Sequence, residues 1–312
     1  MKRFIILLLS LLCQLFAAEQ APLVMLDIGH STKDRGASSP DGRLTETAFW
    51  YKNAGEVKRL IEEAGFRCIV CNRGHAPTQE PLAGYAKAAG VVHLNKPDKG
   101  GVRYPSKYYP DRIGAGMISA DYGIEQKPVC MVFLHLNSTS GWMKAPIPGL
   151  IIHSRVHGKA LGESLQRAFN QELFEQPGGV SNGGKGCRTI IRYRKEETAS
   201  GWLNALDDAG IPSAVIEALY VNNRTHAAYL LTDAGGKRVA QTVAHGVINW
   251  LKGSRRQDSD GQAPKGRCLT ARPDGRPQHG LYADQAQQDK GLGNLSHPSQ
   301  ENNFMGWKRD QQ

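Results

Sequence analysis

Four residues spread along the chain have side chains that could bind a divalent metal and use it: His30, Glu46, His135 and Glu217. Each of them lies where an apolar run gives way to a loop or a helical pattern. A catalytic zinc commonly takes three protein ligands from histidine and carboxylate side chains and leaves one position for water. Two imidazoles and one carboxylate would hold the ion, and the second carboxylate would act on its water.

Glu217 is the residue of this set whose surroundings most favour a function. It interrupts the apolar run 214–219, which is typical of a buried strand. A carboxylate in such a place is costly unless it has a cationic partner or a catalytic role. A structural ion pair with Arg192 or Arg224 is the alternative that the sequence leaves open.

Strand and helix patterns alternate along the chain and predict an α/β fold. Apolar runs predict strands at 23–28, 66–71, 129–134, 150–153, 189–193 and 214–219, and helical spacing predicts helices at 48–64, 111–122, 157–174 and 233–251. Thr45 or Thr47 is expected to cap the first helix, and Gly65 to end it. The expected fold class is a single twisted, mostly parallel β-sheet flanked by helices on both faces. The carboxyl ends of its parallel strands share one edge, where ligands bind.

Composition divides the 312 residues into three parts. Residues 1–18 place Lys2 and Arg3 before an apolar run that is shorter than the roughly 20 residues of a membrane-spanning helix, which predicts a signal peptide. Residues 19–253 are the expected catalytic domain, with an irregular insert at about 74–110. Residues 254–312 contain few apolar side chains and are expected to form a disordered tail. The mature protein is therefore expected to be exported to the periplasm or the exterior, with no stable membrane span.

The cysteines do not form an obvious disulfide framework. Beyond the signal the chain contains an odd number of them, so at least one is expected to be unpaired. Cys68 and Cys71 have the spacing of a redox pair, but they lie in an apolar stretch that predicts a strand, whereas redox pairs lie at a helix N-terminus. We therefore interpret them as core residues.

The formal net charge of +10 predicts attraction to an anionic polymer. Nucleic acid and the acidic bacterial cell wall both fit this description. The predicted export favours the wall. The sequence also lacks the interleaved aromatic and basic residues of single-stranded nucleic-acid grooves, so we expect no nucleic-acid partner.

Several short motifs, taken in order, resemble a known enzyme family. They are Leu-Asp-Ile-Gly-His at 26–30, Gly-Ala at 36–37, Glu46, Leu-His-Leu-Asn-Ser at 134–138 and Val-Ile-Glu-Ala-Leu-Tyr-Val-Asn-Asn at 215–223. Over residues 23–251 this order and spacing resembles the zinc-dependent N-acetylmuramoyl-L-alanine amidases of the Amidase_3 type. The resemblance implies hydrolysis of the amide bond between N-acetylmuramic acid and L-alanine in peptidoglycan.

The resemblance also implies a role for each of the four residues. His30, Glu46 and His135 match the ligands of Zn²⁺, and Glu217 matches the catalytic glutamate that serves as general base and acid. Other positions match the family and are interpreted as structural: Arg73, Arg112, Asn222 and Asn223. The chain departs from the family pattern at Ile28, Ser31-Thr32, Thr47 and Leu136. None of these departures removes a ligand.

Two other functions remain open at this point. One is a zinc peptidase that acts on a different amide, since a fold of this kind does not determine its substrate. The other is a peptidoglycan-binding protein without catalysis, in which the basic surface provides the binding. An activator protein is a further possible partner.

Overall fold

A computed structural model describes residues 21–30, 35–72, 74–94, 127–139, 141–143, 145, 147–174, 176–191, 203, 206–207 and 209–259. The strands are β1 (Leu23–Ile28), β2 (Arg67–Asn72), β3 (Val92–His93), β4 (Cys130–Leu134), β5 (Gly149–His153), β6 (Cys187–Ile191) and β7 (Ser213–Glu217). The α-helices are α1 (Glu46–Glu63), α2 (Leu82–Ala89), α3 (Lys159–Ala168), α4 (Arg224–Leu230) and α5 (Asp233–Ser259). A π-helical turn, Phe169–Leu173, continues α3.

The strands form one 7-stranded sheet in the order β3-β2-β1-β4-β7-β5-β6. β1 pairs in parallel with β2 and β4, and β4 pairs in parallel with β7. β5 is antiparallel to β7, and β6 is parallel to β5. The predicted fold class, an α/β protein with a single, mostly parallel sheet, is confirmed.

The core lies on both faces of the central strands. β1 is buried along its whole length, and successive side chains of a strand point to opposite faces. Leu26 and Ile28 pack in a cluster to which all five described α-helices contribute. Met25 packs on the other face with Phe133 and Leu206. Full burial of one such side chain stabilises the fold by about 1.5–3 kcal/mol, and the packing holds the strand ends in place.

The predicted irregular insert at 74–110 is wrong for its first part. Leu82–Ala89 is helical, Gly90 ends this helix with a φ of 61°, and Val92–His93 pairs with β2 at the edge of the sheet. The sequence did not predict this helix because it is only 8 residues long and contains Gly84, which lowers its helix propensity. The remainder of the insert and the short helix predicted at 111–122 lie outside the described residues.

The last helix is longer than predicted. α5 continues to Ser259, beyond the expected boundary at Gly253. The predicted signal peptide and the rest of the predicted tail lie outside the described residues, and the domain boundaries there stay predictions. Among the helices that are described, none combines the length and the apolar character needed to cross a membrane.

The interpretation of Cys68 and Cys71 as core residues is confirmed, because both are buried. Cys130 and Cys187 are buried as well, and none of these four described cysteines forms a disulfide. Burial raises the pKa of the Cys187 thiol to about 12, so it is protonated at neutral pH. Cys68 and Cys71 lie in β2, as expected, and not at a helix N-terminus. Cys268 lies outside the described residues.

Candidate metal centre

Three adjacent parallel strands bring three of the predicted site residues to one edge of the sheet. Ile28 pairs with Leu134, and Leu134 pairs with Ile216. His135 therefore leaves β4 at the level where Glu217 ends β7, and its backbone N–H donates to the Ile216 carbonyl at 3.2 Å. His30 follows β1 at the same level.

The fourth residue reaches this edge at the start of a helix. Thr45 is the N-cap of α1, and its side chain accepts a hydrogen bond from the Ala48 N–H at 3.3 Å. Glu46 is the first residue of the helix, and its N–H donates to the Ala37 carbonyl at 2.8 Å. The sequence allowed either Thr45 or Thr47 as the cap, and the structure has Thr45 in this role. The cap and the loop before it fix the backbone position of Glu46.

The side chains of His30, Glu46 and His135 converge. Nε2 of His30 lies 3.3 Å from Oε2 of Glu46, and Nδ1 of His135 lies 2.8 Å from Oε1 of the same carboxylate. The two imidazole rings meet edge to face, with centroids 5.1 Å apart. One ligand atom from each residue lies within 4.8 Å of the others. The predicted convergence of distant residues is therefore present in the fold.

Glu46 is held in its ionised form by its neighbours. Burial alone would raise the pKa of Glu46, but the charge and hydrogen bond of His135, the charge of His30 and the Ala37 N–H outweigh burial and lower it. Each oxygen also accepts one backbone N–H: Ala37 donates to Oε2 at 2.8 Å, and Leu136 donates to Oε1 at 3.1 Å. The carboxylate is therefore oriented before any metal binds.

Two glycines leave the space that the ligand side chains occupy. A Cβ at Gly36 would lie 2.5 Å from Oε2 of Glu46 and 2.5 Å from Cδ2 of His30. A Cβ at Gly29 would overlap the ring of His135. Both glycines therefore permit a close approach that any other residue would prevent.

This donor set fits a zinc ion. Two imidazoles and one carboxylate are a ligand combination found in catalytic zinc sites, where a fourth position stays open. The side chain of Glu46 is 3% exposed and that of His30 is 22% exposed, so the cluster is enclosed on the helix side and reachable from solvent. The side chain of His135 is 11% exposed.

Glu217 is the last residue of β7 and is half-buried. Burial raises the pKa of Tyr220 to about 12, and the negative charge of Glu217 adds to this effect. Of the two arginines proposed as structural partners, Arg224 lies over the Trp142 ring at 4.7 Å, and Arg192 lies outside the described residues.

The other family-like positions have structural contacts where they are described. Asn223 is the N-cap of α4 and accepts hydrogen bonds from two N–H groups of the first turn. The Asn222 side chain donates to the Thr139 and Gly141 carbonyls and so holds the loop that follows β4. Arg73 and Arg112 lie outside the described residues.

Sequence reasoning missed the groups that orient Glu46 and the steric role of the glycines. Gly36-Ala37 belongs to the sequence motifs, but the contacts of both residues with Glu46 depend on how the loop folds back on α1. The donor at Leu136 comes from a segment 90 residues further along the chain. No local pattern predicts such a contact.

The fold and the cluster define the class of the protein: an α/β protein with a candidate metal centre at the carboxyl edge of its sheet. A family model described as N-acetylmuramoyl-L-alanine amidase, Amidase_3, matches residues 24–249. The chain belongs to this family. It is therefore an enzyme, and the amide bond that it hydrolyses is one of peptidoglycan.

Solved structures of amidases are similar to this chain. AmiC2 of Nostoc punctiforme has 17% identity and a TM-score of 0.48, covering 74% of this chain and 97% of that one. The CwlD amidase from Clostridioides difficile, in complex with the GerS lipoprotein, has 17% identity and a TM-score of 0.49, covering 74% and 98%. A search of curated proteins found no match.

Proposed function

We propose that the enzyme hydrolyses the amide bond between N-acetylmuramic acid and L-alanine, with Zn²⁺ held by His30, Glu46 and His135 and with Glu217 as general base and acid. The observation that carries this proposal is the cluster of two imidazoles and one buried carboxylate, whose ligand atoms lie within 4.8 Å of one another. The family match supports the substrate class.

The zinc ion, when bound, supplies a Lewis acid that polarises the amide carbonyl and makes water more acidic. Glu217 accepts the proton of the attacking water and then donates it to the departing alanine amine. Glu46 keeps its charge and orientation through the N–H groups of Ala37 and Leu136.

The decisive variant is Glu217→Gln, which keeps the shape of the side chain and removes its basicity. We expect zinc content to equal that of the wild type and hydrolysis of purified peptidoglycan to fall by at least about 10²-fold, the lower end of what general acid–base catalysis contributes. Mass spectrometry of the digest should show free, intact stem peptides with the wild type only. Shortened stem peptides would instead indicate a peptidase.

The ligand assignment is tested in the same preparation. We expect His135→Ala to lose both zinc and activity, because a site with two protein ligands binds the ion weakly. His245→Ala is a matched control: His245 also pairs with a glutamate, Glu172, at 2.6 Å, but on the outer surface of α5. Full zinc occupancy in His135→Ala would show that the ligand set is wrong, and binding of peptidoglycan without hydrolysis by the wild type would favour a non-catalytic role.

We further propose that residues 1–18 direct export and that the enzyme works in the periplasm or outside the cell. The net charge of +10 supports this, because it attracts the enzyme to the anionic wall. N-terminal sequencing of protein recovered outside the cytoplasm should begin near Glu19.

A further inference from the structure

Asn72, the last residue of β2, reaches across to the chain that leaves β1. It is fully buried, and its backbone pairs in register with Ile28. Its Nδ2 donates to the carbonyl of Ile28 at 2.6 Å and to the carbonyl of His30. Its Oδ1 accepts the N–H of Gly74 at 2.8 Å. One side chain therefore binds the segment that carries a metal ligand.

The chemistry of an amide suits this position. A side-chain amide has two N–H donors and a carbonyl acceptor, so it can act in the same way as a peptide group of the sheet. The side-chain amide of Asn72 extends the hydrogen bonds between β2 and β1 beyond Ile28, the last residue of β1, to the carbonyl of His30. On the other side, the Gly29 N–H donates to the Leu134 carbonyl of β4 at 3.3 Å. The backbone from Ile28 to His30 is thus held from both neighbouring strands.

We infer that Asn72 is a positioning residue for the metal centre: it fixes the backbone of His30, so that the imidazole is placed for the ion before the ion binds. This inference rests on the proposed function, because it takes His30 to be a ligand. Residues that orient ligands without contacting the metal commonly change metal affinity by about 10–100-fold when they are replaced. The Asn72 side chain donates to backbone carbonyls of this segment, including that of His30, and not to the His30 imidazole.

The test compares Asn72→Val with Asn72→Thr in the full chain. The two side chains have the same shape and both suit a strand end, but only threonine has a hydroxyl that can donate to one of the two carbonyls. The zinc dissociation constant is measured by competition with a chromophoric chelator, and the melting temperature is measured on the metal-free proteins. We expect zinc affinity to fall about 10–100-fold with valine and by less with threonine.

Asn182→Ala is the matched control. Asn182 is also a buried asparagine whose Nδ2 donates to a carbonyl, that of Gly186 at 2.8 Å, while its Oδ1 accepts the Gly186 N–H. It lies in a glycine-rich loop and contacts none of the proposed ligands. We expect it to lower the melting temperature and to leave zinc affinity unchanged.

Wild-type zinc affinity in Asn72→Val would overturn the inference and leave the proposed function intact. An equal loss of affinity in Asn182→Ala would also overturn it, because the effect would then follow from general destabilisation. Failure of the wild type itself to bind zinc would refute the proposed function and this inference together. If Asn72→Val does not fold, Asn72→Thr carries the test: affinity below that of the wild type supports the inference, and equal affinity overturns it.

Discussion

Gly36 shows how strongly the candidate metal centre depends on residues that have no side chain. Its φ is +66°, and a Cβ would meet both Glu46 and His30 at 2.5 Å. We expect Gly36→Ala to lose at least about 1 kcal/mol of folding free energy from the left-handed backbone and to lose zinc as well. Zinc content and urea unfolding measure the two effects separately.

Gly42→Ala is the control for this prediction. Gly42 has a similar φ of +70°, but a Cβ there would have nothing within 4 Å. Gly42→Ala should lose folding free energy because of its left-handed backbone, and it should keep its zinc. If Gly36→Ala binds zinc as tightly as Gly42→Ala does, the ligands have more freedom than their contacts indicate.

The burial of His226 predicts that the folded protein loses stability in acid, independently of catalysis. It is 1% exposed, its Nδ1 accepts the Tyr220 N–H at 3.2 Å, and its ring lies beside those of Phe174 and Tyr220. Burial lowers its pKa to about 4, below the usual value of about 6.5. Between these values the unfolded chain binds a proton that the folded chain does not, so stability falls as the pH is lowered from 6.5 to 4.

The size of this effect follows from the pKa difference and is at most about 3 kcal/mol. Urea unfolding at pH 7 and pH 4.5 measures it. In His226→Gln the difference between the two pH values should shrink, because glutamine does not titrate. An unchanged difference would assign the acid sensitivity to other groups.

At the scale of the elements, the strands were the most predictable part of the chain. β1 was predicted with its observed bounds because a continuous apolar run of this length, ended by Gly29, is typical of a buried strand. The direction of β5 was not predictable, since local periodicity is the same for parallel and antiparallel strands. The sequence did not predict the helix α4, because it has only 7 residues, although Asn223 has the residue type of an N-cap.

The candidate site was predictable in its residue types but not in its geometry. The sequence predicted the two histidines and two glutamates through motifs and strand ends. The close packing around them involves backbone from separate segments, as when Asn72 of β2 bonds to the carbonyl of His30. Contacts of this kind arise only when the tertiary fold brings the segments together.

The N-cap of α1 gives a prediction at this scale. Thr45→Ala removes the acceptor for the Ala48 N–H, which should cost about 1 kcal/mol of folding free energy. Thr45→Ser retains the hydroxyl and should recover most of that loss. Thermal unfolding of the metal-free proteins provides the measurement. Equal melting temperatures for all three would show that the cap adds nothing to the stability of the first helix.

For the whole molecule, the metal centre should link binding to stability. The proposed ligands follow β1, begin α1 and follow β4, and only the folded chain brings these elements together. An ion that binds the folded state alone adds about 2.7 kcal/mol at a hundred times its dissociation constant. Zinc should therefore raise the melting temperature of the wild type after removal of metal by a chelator, and should leave that of His135→Ala unchanged.

β5 runs antiparallel to β7, and this direction determines which edge of the sheet carries the loop that follows β5. Because β5 runs against β7, the chain leaves β5 at the rim opposite the metal centre, where Val156 is exposed and Asp207 accepts the N–H groups of Val156 and His157. A tether introduced at that rim would not obstruct the ligand cluster. The enzyme could thus be immobilised on a bead through this loop, with the ligand cluster facing away from the bead and toward insoluble wall fragments.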